Sequence, residues 1–331
     1  MHKLQKIRKE WKRNGKTSSE FGLLSFTIKS VLKSKMSSMQ IMIAERSYFM
    51  KTVTIAHHEV PALGIGTWEM GDKPEIRTEE IAAIRAGLDA GLRVIDTAEM
   101  YGNGRSEKLV GEAIKTYQRS NIFLISKVLP SNASAEHMRR SLENSLKRLQ
   151  TDYLDLYLYH WRGAIPLEET IAELQSLQDE GLIHAWGVSN FDLADMEELW
   201  QLPSGRNCAA NEDLYNLETR GIEYSLLPWQ REKQVPLIAY SPLGRGAKMG
   251  STMMKNQAVL QIAEQHHATA YQILLAWVMQ QPDVLAIPKS SSSEHLLSNV
   301  KALEIELTQE DLQTLDQAYP KPDHKEPLAI Y

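Results

Sequence analysis

One stretch of sequence decides the fold: Val94-Ile95-Asp96-Thr97-Ala98-Glu99-Met100-Tyr101-Gly102-Asn103-Gly104. It begins as a short apolar strand from Leu92 to Ile95, and it then opens into a loop that contains two glycines. Asp96 stands at the end of the strand, and Tyr101 follows five residues later. In an α/β barrel the side chains that carry chemistry lie at such strand ends, although an acidic residue there can also serve only a turn. The residues at the ends of the other strands must decide between these interpretations.

Strands and helices alternate on both sides of this stretch. A predicted β-hairpin at residues 51–61 is followed by eight short apolar strands, from Leu63 to Ile287, that alternate with amphipathic helices capped by Thr78, Ser106 and Asp192 among others. An extra helix, capped by Thr308, ends the pattern. Eight strand–helix units in about 250 residues predict a (β/α)8 TIM barrel with an N-terminal β-hairpin and a C-terminal extra helix. A doubly wound fold is disfavoured because the glycines at 102 and 104 lack the G-x-G-x-x-G spacing.

The composition is that of an ordinary globular protein. The 331 residues are 43% hydrophobic and 24% charged, with a net charge of −5, so nothing suggests a nucleic-acid partner. No run approaches the ~20 apolar residues of a membrane helix. The one cysteine, Cys208, excludes an intramolecular disulfide and any multi-cysteine metal site. We therefore expect a monomeric cytoplasmic protein without a bound metal.

Residues 1–49 differ from the rest of the chain. They contain 11 basic and 3 acidic residues and no proline, so they carry a net charge of +8 and leave −13 for residues 50–331. Three interpretations stay open: a disordered or weakly helical tail, a targeting peptide, or a segment outside the working protein, with Met50 as its start. The second is disfavoured because the segment lacks an uninterrupted apolar core and a cleavage site. We expect the barrel to occupy residues 50–331.

Polar side chains follow most of the predicted strands. Because all eight strand ends of a barrel meet on one face, these residues should converge. Taken singly, Lys127 could be a surface lysine and His160 a satisfied core histidine, but their recurrence predicts an active-site lining. From the second strand onward the strand-end residues are Asp96, Lys127, His160, Ser189-Asn190, Tyr240-Ser241 and Lys289-Ser290.

Four of these side chains suit proton transfer to a carbonyl oxygen. A tyrosine such as Tyr101 titrates near ~10, and a neighbouring ammonium should lower its pKa. Asp96 would keep Lys127 charged, and a neutral His160 can orient the carbonyl. The set can protonate the oxygen while hydride arrives at carbon. No side chain can donate hydride, so a reduced nicotinamide is implied.

From Met50 to Tyr331 the sequence resembles the aldo-keto reductases of the bacterial, short-loop kind. The resemblance implies that Tyr101 is the general acid, with Lys127 as the modulator of its pKa. Asp96 would be the partner of the lysine, and His160 would orient the substrate. The matching motifs occur in family order: Gly64-Ile65-Gly66-Thr67-Trp68, Asp96 to Gly102, Ser126-Lys127-Val128, Asp155 to Trp161, Gly187 to Phe191, Ala239 to Gly244 and Ile287 to Ser290.

The resemblance also implies a cofactor and a substrate site. Ser189 and Asn190 would bind the nicotinamide carboxamide, and Tyr240 would stack on the ring. Trp68 and Trp161 would form an apolar substrate wall, although each could be a plain core aromatic. The cofactor should be NADPH, with NADH possible. The implied cofactor contacts are Gly66, Thr67, Ser189, Asn190, Glu212, Tyr240, Ser241, Pro242, Leu243, Lys289, Ser290, His295 and Asn299.

Two positions depart from the family pattern. Glu212 stands where the family usually has glutamine, and we expect it to place a negative charge near the nicotinamide ring. His295 stands where an arginine often clamps the ribose 2′-phosphate. Because arginine binds phosphate in a bidentate manner, the preference for NADPH should be weaker here. A run of serines, Ser290 to Ser293, could donate hydrogen bonds to the same phosphate or form only a flexible loop.

The resemblance implies an oxidoreductase that reduces small aldehydes and ketones, with dicarbonyls such as methylglyoxal as the favoured class. Two alternatives stay open. The first is a Schiff-base aldolase, which would need Lys127 desolvated with a depressed pKa. The second is a non-catalytic regulatory subunit that keeps the cofactor site.

Overall fold

The computed structural model describes residues 50–244 and 252–331. The predictions for residues 1–49 lie outside the described residues. A hairpin of two antiparallel strands, β1 (Thr52–Ile55) and β2 (His58–Pro61), precedes the barrel, as predicted. Its two-residue turn has positive φ at Ala56 (47°) and His57 (65°), which matches the twist of the two strands. The hairpin packs its valine and isoleucine side chains into the same core cluster as the strands of the barrel.

Eight parallel strands, β3 to β10, hydrogen-bond in sequence order. Parallel bridges from Leu63 to Ala286 and from Gly66 to Lys289 join the last strand to the first, so the sheet closes into the predicted barrel. Gly66 is required at this closure because a Cβ atom there would lie 2.5 Å from the carbonyl oxygen of Ile287. The strands are β3 (Ile65–Gly66), β4 (Val94–Asp96), β5 (Phe123–Val128), β6 (Leu156–Tyr159), β7 (Trp186–Ser189), β8 (Asn211–Leu214), β9 (Leu237–Tyr240) and β10 (Val284–Ile287).

The helices of the described ranges alternate with these strands, with two of them between β9 and β10. The predicted extra helix ends the series. The helices are α1 (Arg77–Asp89), α2 (Arg105–Ile114), α3 (Met138–Leu149), α4 (Leu167–Asp179), α5 (Leu193–Gln201), α6 (Leu226–Lys233), α7 (Gln257–Gln265), α8 (Ala270–Gln280), α9 (Ser293–Lys301) and α10 (Gln309–Ala318).

Of the predicted caps Thr78, Ser106, Asp192 and Thr308, two are confirmed and two are wrong. Asp192 and Thr308 cap α5 and α10, each in a reciprocal capping box. Thr78 lies inside α1, whose N-cap residue is Ile76. Ser106 lies inside α2, and its buried hydroxyl donates to the carbonyl oxygen of Thr67 instead. The hydroxyl of Ser106, which we predicted to cap a helix, therefore makes a tertiary contact with Thr67 instead.

The sixth barrel strand lies further along the chain than predicted. We expected a strand at residues 208–210 that ended before Asn211 and Glu212, but β8 is Asn211–Leu214. Glu212 consequently lies inside the strand, paired in register with Ser189 of β7 and Ile238 of β9. The strand was misplaced because β8 contains two buried acidic residues, Glu212 and Asp213. A strand prediction based on apolar residues does not include such positions.

Candidate active site

The centre of the site is the buried ammonium group of Lys127. Its Nζ atom lies 2.5 Å from Asp96 Oδ1, 3.1 Å from the carbonyl oxygen of Thr97 and 3.2 Å from Tyr101 Oη. These three contacts account for the three N–H donors of the ammonium. Lys127 has no solvent exposure, and Asp96 and Tyr101 are also buried. The geometry thus brings together three of the predicted catalytic residues.

The register of the sheet places Asp96 and Lys127 on one face. Asp96 pairs with Ile125 of β5, and Lys127 is two residues further along that strand, so both side chains point to the same side. Tyr101 follows in a turn in which Gly102, Asn103 and Gly104 all have positive φ. Such a turn explains the glycines of the motif.

Glu99 positions the loop that carries Tyr101, and the sequence analysis gave it no role. Its Oε1 atom accepts hydrogen bonds from the backbone N–H of Leu129 (2.7 Å) and from the side chain of Asn132 (3.0 Å). Its Oε2 atom accepts one from Ser141. The sequence shows only that an acidic residue lies between Asp96 and Tyr101. Its hydrogen-bond partners are 30 to 42 residues further along the chain, so its role could not be inferred from neighbouring residues.

Lys127 stays charged despite its burial. Burial lowers the pKa of the ammonium, but its acidic neighbours, first Asp96 and then Glu212 and Tyr101, raise it by more, so the net direction is upward. For Tyr101 burial is the largest influence and raises the pKa, while Lys127 lowers it and the two carboxylates raise it further. The expected lysine effect is thus present, but the expected net lowering of the tyrosine pKa is wrong. Tyr101 is a protonated phenol at neutral pH.

Glu212 is a second carboxyl group at the same ammonium. Its Oε1 atom lies 3.4 Å from Lys127 Nζ, and its Oε2 atom is buried without a hydrogen-bond partner among the described residues. Burial and the neighbouring Asp96 raise the pKa of Glu212 well above its usual value, and Lys127 lowers it by less. This shift favours the neutral acid, contrary to the negative charge expected at this position.

Three aromatic side chains, His160, Trp68 and Trp161, lie close to Tyr101 or to one another. The ring of His160 lies 5.9 Å from that of Tyr101, centre to centre, and burial, followed by the charge of Lys127, keeps the pKa of the imidazole well below its usual value. Trp68 packs edge-on against Tyr101 at 4.8 Å, and Trp161 lies 4.7 Å from His160. Trp68 is 49% exposed, so it is no core aromatic. The neutral histidine and the apolar rings agree with the predicted substrate site.

The predicted nicotinamide contacts form one hydrogen-bonded group. The side-chain amide of Asn190 donates to the carbonyl oxygen of His160 and to Ser189 Oγ, both at 3.0 Å, and its Oδ1 atom accepts from Tyr240 Oη at 2.8 Å. Ser189 donates to the carbonyl oxygen of Glu212. Asn190 (φ 56°) and Ser241 (φ 48°) both adopt left-handed backbone conformations, which are uncommon for non-glycine residues.

The other predicted cofactor residues separate into two groups. Thr67 is buried, and its hydroxyl donates to the carbonyl oxygen of Asp96 at 2.8 Å, so it joins β3 to β4. Lys289 is exposed directly after β10, and Ser290 beside it is buried. His295 is exposed and Asn299 buried on the same side of α9, one turn apart. Pro242 is buried and Leu243 half-buried after β9.

Comparisons with known proteins identify the family. The aldo/keto reductase family model matches residues 62–320. The chain belongs to the aldo/keto reductase family. Methylglyoxal reductase YeaE of Escherichia coli strain K12 is 50% identical over 269 residues, which cover 81% of this chain and 94% of the relative. Glyoxal reductase of Bacillus subtilis strain 168 is 34% identical over 260 residues, which cover 78% of this chain and 88% of the relative.

Solved structures of aldo/keto reductases have the same fold. An aldo/keto reductase from Klebsiella pneumoniae in complex with NADP and acetate superposes with a TM-score of 0.83 at 48% identity, over 85% of this chain and all of that one. The thermostable aldo-keto reductase Tm1743 has a TM-score of 0.75 at 41% identity, over 81% of this chain and 99% of that one. Like other members of the family, this aldo/keto reductase is an oxidoreductase. Within the described ranges no helix is long and apolar enough to cross a membrane.

Proposed function

We propose that this aldo/keto reductase reduces small aldehydes and ketones, with dicarbonyls such as methylglyoxal as favoured substrates and NADPH as cofactor. The observation that carries the proposal is the contact of Tyr101 Oη with Lys127 Nζ, which in turn contacts Asp96. Two relatives named for methylglyoxal and glyoxal support the substrate class. Neighbouring structures that contain NADP or NADPH support the cofactor.

Tyr101 is the proposed general acid. Its oxygen accepts a hydrogen bond from Lys127, so its own proton remains available for the carbonyl oxygen of the substrate. When bound, NADPH supplies the hydride that reaches the carbonyl carbon. As the proton leaves Tyr101, the ammonium of Lys127 stabilises the phenolate, and Asp96 holds that ammonium in place. Transfer of this kind contributes typically ~10²–10⁴-fold to a rate.

His160 and the two tryptophans are the proposed substrate contacts. With its depressed pKa, the imidazole is neutral at neutral pH and can orient the carbonyl oxygen through one ring N–H. Trp68 and Trp161 flank Tyr101 and His160, and they would cover the apolar part of a small substrate.

The strand ends on the other side of the site suit the cofactor. Ser189, Asn190 and Glu212 would hold the nicotinamide carboxamide. The Oε2 atom of Glu212 is buried and has no hydrogen-bond partner among the described residues, so it could make such a contact. Tyr240, only partly buried, would stack on the ring. Further along, Ser241 to Leu243 would line the pyrophosphate. The adenosine end is assigned to Lys289, Ser290, His295 and Asn299.

The aldolase alternative is disfavoured because Schiff-base formation needs a neutral amine, whereas the adjacent carboxylate of Asp96 keeps the ammonium of Lys127 charged. The cytoplasmic location and the monomeric state remain predictions, as does the interpretation of residues 1–49 as a tail.

The proposal is tested by NADPH oxidation with a panel of methylglyoxal, glyoxal, simple aldehydes, ketones and sugars. We expect the highest kcat/KM for the dicarbonyls, and a weaker but measurable rate with NADH. If no compound of the panel supports NADPH oxidation although NADPH binds tightly, the non-catalytic alternative would be supported. Trapping of a substrate on Lys127 by borohydride would support the aldolase.

A further inference from the structure

Two buried carboxyl groups face the single ammonium of the active site. Asp96 lies 2.5 Å from Lys127 Nζ and Glu212 lies 3.4 Å from it, and both carboxyl groups are 2% exposed. The three N–H donors of Lys127 already bind Asp96, Thr97 and Tyr101. Glu212 is therefore the more distant of the two carboxyl groups, in contact with an ammonium whose three N–H donors have closer partners.

Among residues 50–244 and 252–331, no second positively charged group faces Glu212. Asp96 faces it from β4, Lys127 from β5, Tyr101 from the loop after β4 and Tyr240 from β9. His160, at the end of β6, is neutral because of its lowered pKa. With both carboxyl groups ionised, the cluster would hold one uncompensated buried negative charge. Such a charge is unfavourable because it is removed from water, and uptake of one proton removes it.

The distances indicate which carboxyl group takes the proton. The pair titrates as a unit, and the ionised form is favoured where the ammonium is closest. Asp96 has the short, charge-assisted hydrogen bond, whereas the Oε2 atom of Glu212 is buried without a partner in the described part of the chain. A neutral carboxylic acid at Glu212 leaves that oxygen able to carry a hydroxyl proton.

We propose that Glu212 is a protonated positioning residue, whose hydroxyl is a hydrogen-bond donor for the nicotinamide carboxamide and whose neutrality reserves the Lys127 charge for Asp96 and Tyr101. This inference rests on the proposed function. A neutral Glu212 has a donor group and an acceptor group, as a glutamine does. Unlike glutamine, it loses the donor when it ionises, and the new charge then disfavours proton loss from Tyr101. Cofactor affinity and turnover should both fall at alkaline pH.

Infrared difference spectroscopy of the full chain without cofactor tests the protonation directly. We expect the wild-type minus Glu212→Gln difference spectrum at neutral pH to contain a carboxylic-acid C=O band that is lost as the pH is raised. The subtraction removes the contribution of other buried acids such as Asp213. Glu80→Gln is the matched control, because Glu80 is equally buried but accepts hydrogen bonds from Gly71 N–H and Ser291. The wild-type minus Glu80→Gln difference spectrum should lack the band. Its absence from the wild-type minus Glu212→Gln difference spectrum would overturn the proposal.

The positioning role is tested by the pH dependence of NADPH binding, followed by quenching of tryptophan fluorescence. Wild-type affinity should fall roughly tenfold or more from neutral to alkaline pH, as the donor is lost, whereas Glu212→Gln should bind equally over the range. In the reductase assay the alkaline decline of kcat should also be absent from the glutamine variant. Equal pH dependence in the two proteins would contradict the role. Failure of the proposed reaction would appear separately, as absent turnover with the infrared and binding results unchanged.

Discussion

The Nζ atom of Lys127 lies 3.2 Å from the hydroxyl oxygen of Tyr101 and 5.0 Å from the centre of its ring. The ammonium is therefore closer to the oxygen than to the ring face, and its charge acts mainly on the atom that gains negative charge when the proton leaves. Without that charge, burial and the neighbouring Asp96 would both oppose proton loss from Tyr101. The pair is consequently the element of the site on which proton delivery depends most.

Tyr101→Phe should lower kcat/KM for methylglyoxal by at least ~10²-fold, the usual contribution of a general acid, because the proton donor is lost and the ring is retained. NADPH affinity should stay within about twofold, since the cofactor contacts are assigned to other strand ends. Steady-state assays and fluorescence titration measure the two quantities. Tyr224→Phe, at a tyrosine that is 48% exposed, is the control. Retained turnover in Tyr101→Phe would exclude the mechanism.

Lys127→Met should abolish turnover and also destabilise the fold. Removal of one partner of a buried ion pair costs about 3–5 kcal/mol, and here it leaves Asp96 without its cation. Urea unfolding followed by circular dichroism measures the free energy of unfolding. The double variant Asp96→Asn/Lys127→Met is the control and should lose less than the sum of the single variants. Additive losses would mean that the two residues do not interact as the 2.5 Å distance indicates.

The strand-end residues could be predicted from the sequence because barrel topology alone determines that they meet. Asp96 ends β4, Lys127 is the last residue but one of β5, and His160 follows β6. Eight parallel strands bring their ends to one face whatever the details of packing. The caps Asp192 and Thr308 were likewise predictable, because a capping box depends on residues three apart. Local patterns and topology suffice for such features.

Features that depend on distant partners could not be predicted in this way. Ser106 has the sequence context of a helix cap, yet its hydroxyl binds Thr67, 39 residues earlier in the chain. Glu212 was expected to be charged because an isolated glutamate is, and only its burial beside Asp96 reverses that expectation. Likewise, burial raises the pKa of Tyr101 by more than the neighbouring Lys127 lowers it. Desolvation is a property of the folded core.

His295→Arg should shift cofactor preference toward NADPH. His295 is exposed on α9, one turn before the buried Asn299, and an arginine there could form a charge-assisted, bidentate contact with the 2′-phosphate. We expect NADPH to gain about 1–2 kcal/mol relative to NADH, measured as the ratio of the two Kd values. Leu297→Arg is the control, because Leu297 is also exposed (42%) on α9 but two residues away, on a different side of the helix. An unchanged ratio would show that α9 does not approach the phosphate.

Deletion of residues 1–49 should leave activity and Tm nearly unchanged. The family model matches residues 62–320, and the proposed catalytic residues all lie within that range. The truncated chain would begin at Met50. Steady-state kinetics and thermal unfolding of the truncated and full chains, compared in one buffer, measure the effect. A fall in Tm of more than a few degrees, or a loss of turnover, would show that the segment supports the barrel.

Asp213→Asn should stabilise the protein, and the gain should grow with pH. Both carboxyl oxygens of Asp213 are buried without a hydrogen-bond partner of normal geometry among the described residues. Burial, and then the charge of Asp192, raise its pKa well above the ordinary 3.8. As the pH rises above 3.8, the unfolded chain releases this proton while the folded protein retains it. The wild-type free energy of unfolding therefore falls with increasing pH until the raised folded-state pKa is passed.

An asparagine does not titrate, so the variant lacks that decline. Urea unfolding at pH values on both sides of neutrality should give nearly equal stabilities under the most acidic conditions and a gain of roughly 1–3 kcal/mol under alkaline ones, the usual cost of an unsatisfied buried polar group. The same substitution at the exposed Asp152 is the control and should leave the pH dependence of unfolding as it is in the wild type. A constant difference between Asp213→Asn and the wild type would mean that Asp213 is ionised in the folded protein, with a cation or a donor that compensates its charge.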